Sequence, residues 1–467
     1  MEQSPHIALL PSPGMGHFIP MVEFAKRLTL QHNFSTTLIV PDPGPNVKLQ
    51  KAFLEALPKE RGMSYILLPP PNLNAFEFDL KFEVRMAITI SRSLPSIRDV
   101  LNSLAAATNL VALVVDFFGT HAFDVAREFD VPPYMLFPST SMSLSLFLHL
   151  PELDAKVSCQ YKDLPEPFHI PGCRIPLHGK DFPEPVQDRN SISYQLVLNN
   201  VKMYRMAEGI IVNSFEELEG GVIKALRDKV FQNPPVYPVG PLVQTDHISI
   251  SSSPFEKWLD DQPLGSVLFI CFGSLKSLSH AQLHELAFGI ETSQKRFLWV
   301  FRSPKYSNDE RVSSSTFLPE GFVERTKGRG FIMSDWAPQA RILRHGSTGG
   351  FLTHCGWNSA LESIVNGVPM IAWPLGAEQR MNAVMLSEDL KIVLWPKANE
   401  DGDGLVGRVA IANVVKNLME EGEERKQICE RMRDLKDAAA KVVSREGSST
   451  NSMLKLISKW KQNVGDL

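Results

Sequence analysis

Short apolar runs without in/out alternation recur along the chain, separated by longer stretches whose apolar residues fall at helical spacing. The runs are 7–10, 36–40, 65–68, 110–115, 134–137 and 209–212 in the first half. In the second half they are 266–272, 297–301, 330–333, 350–353, 370–373 and 392–395. Strands that are apolar on both faces and alternate with helices predict parallel sheets covered on both sides. Six runs in each half fit two doubly wound units better than one sheet of all twelve strands. Between the halves lies Pro234-Pro235-Val236-Tyr237-Pro238-Val239-Gly240-Pro241, followed by the Ser-rich stretch 249–253. Proline there is expected to block helix and ladder alike, and the serines to be flexible. The reading is an N-terminal domain 1–240, a linker 241–255, a second domain 256–447, and a C-terminal helix 448–467 packing back on the first domain. A ligand in this architecture sits beyond the carboxyl ends of the strands, here expected in the cleft between the halves.

Composition narrows the partners. Of 467 residues 43% are hydrophobic and 21% charged, with a formal charge of −4. No basic field exists to draw in nucleic acid, and no polybasic cluster marks a membrane surface. Small molecules are the expected partners. The five cysteines are scattered and odd in number, which reads as reduced structural thiols of a cytoplasmic protein. The N-terminal residues run straight into an apolar strand without a leader pattern, and no apolar stretch is long enough for a membrane anchor.

The first strand ends in Pro11-Ser12-Pro13-Gly14-Met15-Gly16-His17-Phe18-Ile19-Pro20, and a helix follows at once. A dinucleotide fingerprint would need glycine at Ile19, so a nicotinamide oxidoreductase is disfavoured even though Asp42 follows the next strand. His17 alone reads as a structural or exposed histidine. The fourth strand, however, runs into Asp116, and a carboxylate at a buried strand end is costly unless paired. Neighbouring strand ends would bring it towards His17, and a histidine held by a carboxylate is an oriented general base. An Asp capping the next helix is the equal alternative.

The second half carries more, in residues 336–379. They begin Trp336-Ala337-Pro338-Gln339, continue through His354-Cys355-Gly356-Trp357-Asn358-Ser359 to Glu362, and close on Gly376-Ala377-Glu378-Gln379. A strand feeds a Cys-Gly turn, and the helix opening at Asn358-Ser359 offers free N–H groups, a hydroxyl, an amide and His354 to a diphosphate. Glu362 shares the helix face of Asn358 and Ser359 and can reach ribose hydroxyls. Trp336 can stack a base, and Glu378 and Gln379 can bond sugar hydroxyls.

This stretch resembles the C-terminal signature box of plant family-one UDP-dependent glycosyltransferases. Pro13-Gly14-Met15-Gly16-His17 and Phe272-Gly273-Ser274 extend the resemblance over essentially the whole chain. The resemblance implies an α/β GT-B fold, two Rossmann-like doubly wound parallel-sheet domains facing across a cleft. It implies that Trp336 and Ala337 contact uracil, that Gln339 and Glu362 bind ribose, and that His354, Asn358, Ser359 and Ser274 hold phosphates. Trp357, Glu378 and Gln379 would contact the sugar, His17 would be the base and Asp116 its partner. The implied reaction is inverting transfer, with a UDP-sugar as donor substrate, no cofactor, no metal, and a monomeric chain.

Gln379 at the end of the box resembles glucose-using members, so UDP-glucose is the expected donor. The N-terminal half most resembles the branch acting on small phenols such as hydroquinone and monolignols. Phe117, Phe118 and Phe147 are candidates for an aromatic acceptor wall, with buried core as their alternative fate. Glu83 is either an acceptor contact or a surface helix charge. Asp401-Gly402-Asp403 matches a metal motif of another glycosyltransferase fold, but its polar, glycine-rich surroundings read as a solvated loop. A nucleotide-sugar sensor without turnover and a hydrolase using Asp116 with Glu378 are the competing readings.

Overall fold

The computed structural model describes residues 4–42, 47–55, 57, 62–72, 77, 80–228, 232–244, 253–273, 276–302, 317–334, 337–398 and 404–465. Ser274, Trp336, the serines 249–252 and Asp401-Gly402-Asp403 lie outside the described residues. The chain forms two compact units, Met1–Gln244 with Lys441–Leu467, and Thr245–Ala440.

Unit 1 is built on a seven-stranded parallel sheet of β1 (Pro5–Leu10), β2 (Ser35–Val40), β3 (Met63–Leu67), β4 (Asn109–Val115), β5 (Pro133–Phe137), β6 (Ile210–Val212) and β7 (Val236–Pro238). Their order is β3-β2-β1-β4-β5-β6-β7. The central strands are apolar on both faces because helices cover both, and Ile7, Leu9, Leu113, Val115, Met135 and Ile211 have no exposed surface. β7 corrects the sequence reading, which had proline excluding a strand here. Edge pairing resolves it, since Ile210 N–H donates to Pro235 O (2.8 Å) and Val239 N–H to Val212 O (3.1 Å). The ladder uses a proline carbonyl on one side and the next residue's N–H on the other, so the missing proline N–H is never called on.

Unit 1 is closed by the end of the chain. The helix Ser448–Gly465 packs against β4 and β7. Trp460 on it is fully buried, with Phe24, Phe34 and Tyr134 ring centroids 5.4–6.3 Å away. Ser449 donates to the Gly240 carbonyl at 2.5 Å.

Unit 2 carries a six-stranded parallel sheet of β8 (Val267–Cys271), β9 (Arg296–Phe301), β10 (Gly330–Ser334), β11 (Thr348–Thr353), β12 (Met370–Ala372) and β13 (Val393–Leu394). The order β10-β9-β8-β11-β12-β13 repeats the logic of the first sheet. In each sheet the direction of strand addition reverses between two central neighbours, β1 with β4 and β8 with β11. Open α/β sheets bind ligands beyond the carboxyl ends of the strands at that switch point. The fold therefore marks two places, one per unit. No helix among the described residues is long and apolar enough to cross a membrane.

Candidate active site

At the switch point of unit 1, Leu10 of β1 lies beside Val115 of β4. One residue further, Asp116 N–H donates to the Leu10 carbonyl (3.3 Å), which carries its side chain under the turn leaving β1. That turn contains Gly14 at φ 125°, a conformation that favours glycine, and a Cβ there would stand 3.1 Å from the Phe82 ring. The helix Met15–His32 starts on the Gly14 carbonyl, which accepts from His17 and Phe18 N–H.

His17 Nδ1 stands 2.9 Å from Asp116 Oδ2. The separation is that of a hydrogen bond, but the ring N–H is not aligned on the oxygen, so the contact is an ion-pair approach and not a linear bond. Asp116 is completely buried and fully engaged. Its Oδ2 accepts Ser12 N–H (2.7 Å), and its Oδ1 accepts Ser12 Oγ (2.6 Å) and Phe118 N–H (3.1 Å). These donors make the buried charge tolerable, because they replace the water it has lost.

Aromatic side chains flank the histidine. The rings of Phe117 and Phe118 lie 5.0 and 5.5 Å from the His17 ring, Phe117 lies 5.7 Å from Phe137, and Phe137 lies 6.1 Å from Phe147. Phe117 is half-buried, whereas Phe118 and Phe147 are buried. Glu83, in the first turn of the helix Phe82–Ala107, is half-buried and accepts from Ser193 Oγ at 2.6 Å, which rules out the reading as a bare surface charge. Phe82, Phe137 and Ser12 belong to this cluster and were not singled out by sequence, because nothing in a lone Phe or Ser at those positions signals a site.

At the switch point of unit 2, Thr353 of β11 lies beside Cys271 of β8. The chain then turns through His354, Cys355 at φ 62° and Gly356, and the helix Trp357–Asn366 begins. His354 is wedged against glycine on two sides. A Cβ on Gly273 (φ 72°) would come within 2.5 Å of its Nε2, and one on Gly356 within 2.4 Å. This enclosure pushes its pKa down to about 4, and a hydrogen bond to the Cys271 carbonyl offsets only part of that. His354 is therefore a neutral imidazole near neutral pH.

Gln339, at the start of the helix Gln339–Arg344, donates through Nε2 to Ser359 Oγ (2.9 Å) and to Glu362 Oε2 (2.7 Å). Three of the predicted donor residues thus form one cluster, and Ala337 lies buried at its edge. Asn358 is half-buried in the first turn of the helix Trp357–Asn366. Trp357 is 2% exposed, so its indole faces the core and its backbone is what remains for a ligand. Gln379 Oε1 accepts from Leu375 N–H (2.8 Å) and Gly376 N–H (3.0 Å), which fixes the amide. Asn382 ties this loop to the His354 turn, donating to the Cys355 carbonyl (3.0 Å) and to Glu378 (3.4 Å). Its role is invisible in sequence because it follows the box by one helical turn. Burial pushes the Cys355 thiol up to about 12 and raises Cys271, so neither is a thiolate. Among the described residues, no three His, Cys, Asp or Glu side chains group as metal ligands.

Comparison with known proteins gives the family. The family model described as UDP-glucoronosyl and UDP-glucosyl transferase matches residues 246–395. A hydroquinone glucosyltransferase from Rauvolfia serpentina is 57% identical, with 99% of each chain covered. The UDP-glycosyltransferase 72B1 of Arabidopsis thaliana is 50% identical, over 100% of this chain and 99% of that one. Among solved structures, Phytolacca americana UGT2 complexed with UDP-2fluoro-glucose and pterostilbene aligns with a TM-score of 0.89 at 50% identity, covering 98% of this chain and 100% of the other. A UDP-glucosyltransferase from Polygonum tinctorium capable of glucosylating indoxyl, in complex with 3,4-dichloroaniline, aligns at 0.91 and 48% identity, with 99% of each chain covered.

Proposed function

The chain belongs to the UDP-glucoronosyl and UDP-glucosyl transferase family, and from that premise we propose that it moves glucose from UDP-glucose to the hydroxyl of a small phenol, inverting the anomeric carbon. It is a UDP-glycosyltransferase with two Rossmann-like domains of the GT-B class. The observation that carries the finer reading is His17 beside the buried Asp116 at the switch point of unit 1. Asp116 stands beside Nδ1, which leaves Nε2 to take the acceptor proton. The phenolic oxygen attacks the anomeric carbon opposite the diphosphate, the bond to the β-phosphate oxygen breaks, and UDP departs with those electrons. Phe117, Phe118 and Phe147 with Phe137 form an apolar aromatic cluster in which Phe117 is half-buried and the others are buried, which suits an aromatic acceptor beside Phe117. Similarity to a hydroquinone glucosyltransferase, and to a structure holding UDP-2fluoro-glucose and pterostilbene, supports the same class.

In unit 2, Gln339 and Glu362 are the ribose-binding pair, and the N-terminus of the helix Trp357–Asn366 with His354, Asn358, Ser359 and Ser274 is the diphosphate cradle. Trp336 and Ala337 take the uracil. Glu378, the fixed amide of Gln379 and the backbone at Trp357 take the sugar. A neutral His354 suits this role, since it donates to phosphate without competing for the proton that His17 must move. A hydrolase reading needs a carboxylate nucleophile or a water activated by one; of its candidates Asp116 and Glu378, Asp116 already accepts three hydrogen bonds from Ser12 and Phe118.

The test is product formation from UDP-glucose with and without a panel of phenols, in EDTA. A β-glucoside formed only with acceptor supports the reading. UDP released without acceptor would indicate hydrolysis, and UDP-glucose bound but never consumed would indicate a sensor; either defeats it. Glu362→Ala should weaken donor binding about 10- to 100-fold by isothermal titration, since it leaves ribose hydroxyls and Gln339 without their acceptor.

A further inference from the structure

Asp116 accepts three hydrogen bonds, and two of them come from one residue that the reaction scheme does not use. Ser12 is completely buried in the turn between β1 and the helix Met15–His32. Its N–H reaches Oδ2 at 2.7 Å and its Oγ reaches Oδ1 at 2.6 Å. An ionised carboxylate only accepts, so the hydroxyl proton of Ser12 points at Asp116. Without this two-point grip the carboxylate would hang on Phe118 N–H alone, at 3.1 Å on Oδ1, and could rotate away from His17.

We propose that Ser12 is a positioning residue for proton transfer, fixing the rotation of the Asp116 carboxylate and dispersing its charge so that His17 is both aimed and correctly basic. The inference rests on the reading of His17 as general base. Its chemistry is directional. Removing the Oγ donor leaves the anion less well solvated, so the Asp116–His17 pair binds its shared proton more tightly and releases it at higher pH. The titratable groups facing Asp116 are His17 and Tyr204 of the helix Ile192–Tyr204. Burial, reinforced by Asp116, holds the Tyr204 phenol well above its ordinary value, so it stays neutral through the working range. The acid limb of the rate profile therefore belongs to the Asp116–His17 pair.

The experiment measures kcat and kcat/KM of the full chain with UDP-glucose and hydroquinone from about pH 5 to about pH 9. Ser12→Ala should lower kcat about 10- to 100-fold, leave the KM for UDP-glucose within about twofold, and move the acid limb up by about half to one pH unit. Ser12→Cys, close in size and a weaker donor, should fall between the two, and it carries the decision if the alanine variant does not fold. A lowered melting temperature with an unmoved acid limb means that Ser12 only braces the turn, and overturns the proposal. Wild-type kcat and limb in either variant overturn it as well. His17→Ala is run alongside. If that variant remains active, the base reading fails and the Ser12 inference with it. If it is inactive while Ser12→Ala behaves as wild type, the Ser12 inference alone fails.

Discussion

His17 and His354 occupy the same local architecture and meet opposite electrostatics. Each follows the central strand on one side of a switch point, in a glycine-bearing turn that opens a helix. What differs is the end of the neighbouring strand. Beside His17, β4 runs into Asp116, a buried carboxylate that accepts from Ser12 and Phe118. Beside His354, β8 runs into Gly273, which brings no charge and packs flat on the ring. One histidine gains a carboxylate neighbour. The other gains enclosure and is kept neutral. The lesson is that a strand–turn–helix frame does not assign a role to its histidine; the adjacent strand end does.

The contrast can be broken by substitution. His17→Gln keeps a polar amide but no proton acceptor, and kcat should fall about a thousandfold with UDP affinity unchanged, read from initial rates and calorimetry. His354→Gln keeps a neutral donor and should cost no more than about tenfold; an equal loss in both variants would mean that His354 also moves a proton. A smaller effect is expected at the glycine that sets the contrast. Gly273→Ala forces a Cβ onto the His354 ring at a positive φ, a strain of about 1–3 kcal/mol, and should weaken UDP binding about tenfold without moving the acid limb of kcat.

The smallest effect is on stability at low pH. His6 is buried between Ser35 Oγ and Thr37 Oγ1, and burial lowers its pKa to about 4, as it does for His354. A base whose folded pKa lies below its unfolded value of 6.5 binds fewer protons when folded. Stability is thus complete above that value and is lost as pH falls through the window from 6.5 towards 4. At about pH 5 each of these groups should cost about 2 kcal/mol. His6→Asn should flatten that part of the acid loss, measured as the midpoint of urea unfolding at neutral and mildly acidic pH. An acid loss unchanged by the substitution would show that His6 is protonated in the fold.

The parts of this molecule that sequence disclosed are those with a period or a dense motif. The twelve runs read as strands were apolar on both faces, a pattern that burial in parallel sheets requires, and all became strands. β7 escaped because its prolines argue against a ladder in general and only edge pairing admits them. The closeness of Asp116 to His17 was legible from strand order only as one of two equal readings, a helix cap being the other, and the family resemblance was what favoured it. Ser12 was not legible, because its meaning comes from a partner 104 positions away. Burial also altered how some residues can serve. Trp357 has its indole in the core, and Gln379 spends its carbonyl oxygen on its own loop.

The return of the chain to unit 1 has a consequence for biosynthesis. The aromatic socket formed by Phe24, Phe34 and Tyr134 stays unfilled until Trp460 arrives, and the whole of unit 2 is translated in between. On the ribosome the N-terminal sheet must wait, with apolar surface open, while the later unit can complete itself first. Vectorial synthesis thus reverses the order in which the two halves mature. A chain cut short before Trp460 would keep unit 2 whole and leave the aromatic socket of unit 1 unsealed.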